Sequence, residues 1–311
     1  MKKIVFLAAA VAAIASCAKV ETVSMPGQQE IAFKAINAPT TKASTALEST
    51  IHLGVSAMWN KASVSEKVEY FNNVEFIHNG TSWAGGQYWP KTGTLDFAVY
   101  APYNAGAAIT QNASTIVIKS PLADANTDFL FGDKIEETKT NGPAIPVTLK
   151  HARSQIIVNV QTSGASDNLF EINSIKFDNL VVSGTPVVTY TYGQSPANAV
   201  LTFEGNASPV EVEDANLTAK VTSVNTPVFT HYVMPSGKPQ NLTVNYSILS
   251  NGQYIPQETS VHPITLTADN LAAGTRYIFN LTFTANEILL DASVEDWVDG
   301  ETITEAVPKT I

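Results

Sequence analysis

Leu95-Asp96-Phe97-Ala98-Val99-Tyr100-Ala101-Pro102-Tyr103 is an alternating stretch: Leu95, Phe97 and Val99 share one face, and Ala101-Pro102-Tyr103 closes it. A period of two is the signature of a β-strand with one face buried. The same period recurs outward in both directions. Ile51, Leu53, Val55 and Ala57 alternate before it, and Ile156, Val158 and Val160 alternate after it. Short strands are also predicted at 115–119, 147–149, 172–177, 180–182, 187–192, 200–203, 228–233, 242–249 and 277–283. Asn79-Gly80, between Phe76 and Trp83, and Asn251-Gly252 are predicted hairpin turns. No amphipathic helix of useful length is present in the pattern. The sequence therefore predicts an all-β fold of two tandem β-sandwiches.

At the N-terminus, Lys2 and Lys3 precede an apolar run from Ile4 to Ala15, and Ile14-Ala15-Ser16-Cys17 follows. The run is shorter than the roughly 20 residues a membrane-spanning helix needs. It has the basic and apolar parts of a secretory signal, and small residues before a cysteine form a bacterial lipobox. Residues 1–16 are thus expected to be a lipoprotein signal peptide, and Cys17, the one cysteine of the chain, to carry lipid. Residues 17–45 read as a polar leader with one strand-like piece, in which Ile31, Phe33 and Ala35 lie on one face. The expected sandwiches cover 46–185 and 186–311, divided at the turn Ser183-Gly184-Thr185-Pro186.

The composition excludes several functions. The 311 residues carry a net charge of −10, from 18 basic and 28 acidic residues. Such a surface does not suit nucleic acid, whose phosphates select Lys and Arg, nor polybasic contact with anionic lipid. The five histidines, His52, His78, His151, His231 and His262, stand apart, with no second ligand at metal-binding spacing, so no metal or cofactor is expected. Asp124, Asn126 and Asp128 resemble the start of a calcium loop, but Phe129 stands where the glycine belongs and Ile135 where the terminal glutamate belongs. No nucleophile elbow, phosphate loop or dinucleotide fingerprint occurs, and no enzymatic activity is expected. Trp59, Trp83, Trp89 and Trp297 are either core residues or stacking surfaces for a sugar.

Four segments taken together resemble the fimbrillin family of Bacteroidales surface lipoproteins, components of type V pili. They are the lipobox with its leader, Tyr88-Trp89-Pro90 with residues 95–103, Leu149-Lys150-His151-Ala152-Arg153-Ser154-Gln155-Ile156, and residues 274–281 running on to Asp291–Trp297. The resemblance implies transthyretin-like sandwiches, export as an outer-membrane lipoprotein, and a place in a surface fimbrium. It implies proteolytic removal of the leader and acceptance of an extended strand from another subunit. It also allows host or bacterial surface ligands. On these residues, Ile31, Phe33 and Ala35 become the strand to be replaced. The stretch from Val294 to Ile311, with Ile303, Val307 and Ile311 in one parity, becomes the strand to be donated. Leader cleavage in the family often follows an arginine, and this chain has none before Arg153. That leaves cleavage after Lys42, or retention of the Cys17 lipid by an anchoring subunit. A non-polymerising surface lipoprotein that binds glycan is the alternative function.

Overall fold

The computed structural model describes residues 29–37, 47–61, 67–121, 127–139, 144–192, 198–205, 208–266, 271–284 and 287–296. Among them there are only strands and connections. In chain order the strands are β1 (Glu30–Asn37), β2 (Leu53–Asn60), β3 (Val68–His78), β4 (Trp83–Tyr88), β5 (Thr94–Ala101), β6 (Ala108–Gln111) and β7 (Thr115–Lys119). Then follow β8 (Leu130–Glu137), β9 (Ile145–His151), β10 (Ser154–Thr162), β11 (Phe170–Leu180), β12 (Thr185–Thr191), β13 (Asn198–Glu204) and β14 (Val210–Lys220). The last are β15 (Thr226–Val233), β16 (Asn241–Ser250), β17 (Gln253–Pro256), β18 (Ser260–Pro263), β19 (Thr275–Phe283) and β20 (Ile288–Asp296). The all-β expectation holds.

The N-terminal part is a closed barrel in the order β1-β4-β3-β2-β5-β8-β9. Its interior is lined by Leu53, Val55, Phe71, Phe76, Leu95, Phe97, Val99, Val147 and Leu149, so the residues that alternate in sequence face inward. A four-stranded sheet, β13-β12-β7-β6, covers the outside of β5 and β8. A second core forms there from Met58, Ala98, Tyr100, Ile116, Ile118, Phe131, Val188 and Tyr190. Strand β5 is consequently buried on both faces, odd residues inside the barrel and even residues beneath the covering sheet.

The C-terminal part packs the sheet β15-β10-β19-β20 on the sheet β14-β11-β16-β17, with β18 pairing β16. Ile156, Val158, Phe177, Phe229, Val244, Phe279 and Leu281 fill the space between the layers. Asn251 (φ 52°) and Gly252 (φ 79°) form the two-residue turn between β16 and β17, both in the left-handed region that a type I′ hairpin requires. The turn at Asn79-Gly80 is wider. Asn79 N–H donates to Ser82 O (2.9 Å), and the Asn79 side-chain oxygen accepts from Thr81 and Ser82 N–H.

A single cut near residue 185 does not separate these sheets. Strands β10 and β11 precede it, yet they pair with β19 and β16 of the C-terminal part. Strands β12 and β13 follow it, yet β12 pairs with β7 and returns the chain to the N-terminal part. Turn residues mark where the chain reverses, but the buried face of each strand decides which sheet it joins. Strands β6, β8, β14, β17, β18 and β20 were not among the predicted ones. In β14 and β20 almost every residue keeps some exposure, so the apolar period is weak.

Candidate functional site

The leader-like sequence Glu30-Ile31-Ala32-Phe33-Lys34-Ala35-Ile36-Asn37 is the stave that closes the barrel. One edge pairs antiparallel with β4, in the register Glu30 with Tyr88, Ala32 with Ala84 and Phe33 with Trp83. The other edge pairs parallel with β9, from Phe33 opposite Ile145 to Asn37 opposite Leu149. Ile31, Phe33 and Ala35 are wholly inaccessible, whereas Lys34 is exposed, as a period of two requires. The Phe33 ring meets Phe97 edge-on at 5.1 Å and Phe76 at 5.5 Å. Two further contacts tie down the start of the strand. Trp89 N–H donates to Gln29 O (3.0 Å), and Gly86 N–H donates to the Glu30 carboxylate (2.9 Å). At the far end Leu47 N–H donates to Ala35 O (3.2 Å), and the Leu47 side chain joins the barrel core.

This seat holds a strand by two backbone ladders and apolar packing. Removing β1 would leave backbone donors and acceptors of both β4 and β9 unpaired and would open the barrel core beside Phe76 and Phe97. Burying a side chain the size of Ile31 or Phe33 is worth about 1.5–3 kcal/mol each, so the vacated seat would be a strongly apolar edge pair. Another extended segment of matching pattern would be needed to restore those hydrogen bonds and that burial.

The remaining sequence-predicted positions fall in different places. Trp83 and Trp89 are buried, with no face for a sugar. Trp83 Nε1 donates to Ile51 O (2.7 Å) and the Trp89 ring abuts Phe97 at 5.9 Å. Trp59 is partly exposed, its Nε1 donating to Thr92 O (2.9 Å) and Lys61 lying 4.7 Å over its ring. Cys17, Lys42, Trp297, Ile303, Val307 and Ile311 lie outside the described residues, as do Asp124 and Asn126. The stretch expected to donate a strand begins inside β20. Val294, Glu295 and Asp296 pair with Tyr277, Arg276 and Thr275, so its first three residues are already committed to this chain's own sheet.

Each histidine has a local partner. His52 lies 2.7 Å from Glu75, His231 lies 2.8 Å from Asp214, His262 lies 3.0 Å from the Ser260 hydroxyl, and His78 accepts from Gly80 N–H. His151 lies 2.5 Å from Asp128, whose carboxyl burial pushes up against the opposing pull of His151. Among the described residues no group of three or more His, Cys, Asp or Glu is placed to hold a metal.

Sequence reasoning missed the seam between the two parts. Ala152 and Arg153 connect β9 of the barrel to β10 of the C-terminal sandwich. The Arg153 side chain is fully buried. It donates to Thr127 O (2.8 Å) ahead of β8, to Val182 O (3.0 Å) after β11, and to Tyr232 O on β15. Ser154 Oγ donates to Ala272 O (2.7 Å), and Gly274 N–H donates to Arg153 O (2.9 Å). The signal was a basic residue set directly before a strongly apolar strand, where a solvent-facing side chain has little room.

Among curated proteins, none matches the chain by sequence. Solved structures do match in fold. A cell adhesion protein from Bacteroides ovatus is 16% identical with a TM-score of 0.56, over 88% of this chain and 99% of that one. A fimbrial protein from Bacteroides vulgatus is 16% identical with a TM-score of 0.55, over 86% of this chain and 99% of that one. A cell adhesion protein from Bacteroides uniformis is 15% identical with a TM-score of 0.53, over 86% and 99%. The model of the family described as fimbrillin-like matches residues 38–297, beginning immediately after β1. With that match spanning most of its length, the chain belongs to the fimbrillin-like family.

Proposed function

We propose that the chain is a structural and adhesive subunit of a surface fimbrium, built from transthyretin-like modules and exported as an outer-membrane lipoprotein through Cys17. The observation that carries this reading is the position of β1. It is covalently linked to the rest of the barrel only through residues 38–46, and Lys42 lies within that link. Among the described residues, β1 is otherwise held by backbone hydrogen bonds, the Gly86–Glu30 hydrogen bond and apolar packing. A cut after Lys42 turns a closed barrel into a barrel plus a bound peptide that carries the lipid. Exchange of that peptide for an extended strand of another subunit is close to neutral in hydrogen bonds, because each backbone group that loses a partner gains one. Adhesion to a host or bacterial surface belongs to the same reading, with the assembled fibre presenting the ligand-binding subunits.

The test is limited digestion of the leader-bearing protein with a lysine-specific protease. A new N-terminus at Ala43, followed by loss of residues 17–42 and appearance of oligomers that survive cold SDS, is the expected outcome. Clean cleavage after Lys42 that leaves only monomer, with or without release of β1, refutes the polymerising role.

A further inference from the structure

Beneath the sheet that covers the barrel lies an ionic cluster unrelated to the seat of β1. Asp96 is on β5 among the even residues and is completely buried; the Lys67 side chain, one residue before β3, is 15% exposed. Lys67 Nζ contacts Asp96 Oδ2. The other oxygen, Oδ1, accepts from Glu136 N–H at 2.6 Å. Glu136 has a left-handed φ of 53° at an irregularity in the β5–β8 ladder, and this aims its N–H at the carboxylate. The Tyr192 ring lies under Lys67, 5.1 Å from Nζ, and its buried hydroxyl has no hydrogen-bond partner among the described residues. Asp133 faces the same space from β8, opposite Ala98. Burial pushes its carboxyl up, against the pull of Lys150 and Lys134, and the charge of Asp96 adds to the rise.

We propose that Lys67 and Asp96 condense into an intramolecular isopeptide bond from Nζ to Cγ. Each part needed for acyl transfer is in place: an amine against a carboxyl group, a backbone donor on the oxygen that gathers charge, and walls that exclude water. One proton passes from the Lys67 ammonium to Oδ2. The amine lone pair then adds to Cγ, and the carbonyl electrons move onto Oδ1, where Glu136 N–H receives them. The nitrogen gives a second proton to Oδ2, relayed by the Asp133 carboxyl, and the C–Oδ2 bond breaks. Water leaves, Oδ1 reforms the carbonyl, and the amide keeps one N–H. The ion pair Lys119–Glu204 lacks these features: both side chains are about half exposed, on the surface of β7 and β13. The new bond would close a covalent ring through β3 and β4 to β5, fixing the wall against which β1 pairs.

The experiment is mass analysis of a digest of the denatured full-length protein, made with a protease that cuts after lysine. An acylated Lys67 is skipped by that protease, so the expected product is one branched peptide containing Lys67 and Asp96. Its mass should be lower than the sum of its parts by one water. Lys67→Arg should abolish it, and Asp133→Asn should lower its yield severalfold at equal incubation time. Recovery of linear peptides with unmodified Lys67 and Asp96 from folded wild-type protein overturns the proposal and needs no variant to fold. An unchanged yield in Asp133→Asn overturns the relay assigned to that residue.

Discussion

Phe33→Ala puts the contribution of β1 to the barrel on a numerical footing. Phe33 is inaccessible, and its ring meets two others edge-on, Phe97 at 5.1 Å and Phe76 at 5.5 Å. Truncation removes the ring from the centre of the barrel wall and leaves a cavity that the paired backbones of β4 and β9 hold open. Substitutions of this kind cost about 3–5 kcal/mol, and the loss of edge-to-face contacts places this one in the upper half of that range. At roughly 2–4 °C per kcal/mol for a unit of 150–250 residues, the melting temperature should fall by about 8–20 °C. Lys34→Ala, on the exposed face of the same strand, should change stability by no more than about 0.5 kcal/mol. Thermal and urea melts of both variants, followed by tryptophan fluorescence, make the comparison, since Trp83 and Trp89 are buried in the same barrel. A Phe33→Ala loss of under about 1 kcal/mol would refute the reasoning, because a fully packed ring cannot be removed so cheaply from a cooperative barrel.

Four further outcomes are expected. Arg153→Ala leaves the carbonyls of Thr127, Val182 and Tyr232 without their buried donor and should cost at least about 3 kcal/mol in a urea melt. Gly132→Val should cost about 1–3 kcal/mol in the same assay, because a Cβ at that position would sit 2.3 Å from Thr148 O. Trp83→Ala should cost about 3–5 kcal/mol, since its ring is part of the barrel core and exposes no stacking surface. The fourth concerns Asp178. Burial raises its carboxyl, but N–H donors from the Asn241 backbone, the Gln240 backbone and the Asn241 side chain outweigh that and lower it overall. A carboxyl held low in the folded state stabilises at pH above its unfolded value, about 3.9. That contribution disappears as pH falls through the folded value. Stability measured between about pH 5 and pH 2 should therefore fall less steeply in Asp178→Asn than in the parent.

Legibility in the sequence followed the range of the interaction. Leu95, Phe97 and Val99, or Ile156, Val158 and Val160, advertise their strands because the pleat converts a local period of two into a buried face. The parity of Ile31, Phe33 and Ala35 was legible for the same reason. Partnership was not. Strand β10 lies parallel to β19, more than a hundred residues away, and no local pattern encodes that choice. The return of β12 to β7 is equally silent, and it is what a cut at residue 185 misses. Buried polar residues were opaque because their partners are assembled by topology. Arg153 gathers carbonyls from three separate segments, and Asp96 takes its donor from a bulge on β8. Trp83 and Trp89 show the limit from the other side, since an indole reads the same in sequence whether it faces the core or the solvent.

The two walls that flank β1 are of opposite kind, one antiparallel and one parallel. Their hydrogen bonds are spaced differently, in narrow and wide pairs along β4 and evenly slanted along β9. A segment seated between them therefore has a compulsory heading: turned end for end, it would mismatch both ladders at once. Under the proposed strand exchange, molecules joined through such a seat would all point the same way, and a row of them would have a front and a back. Growth and termination would be distinct events at distinct ends, a polarity already present in the geometry of a single eight-residue strand.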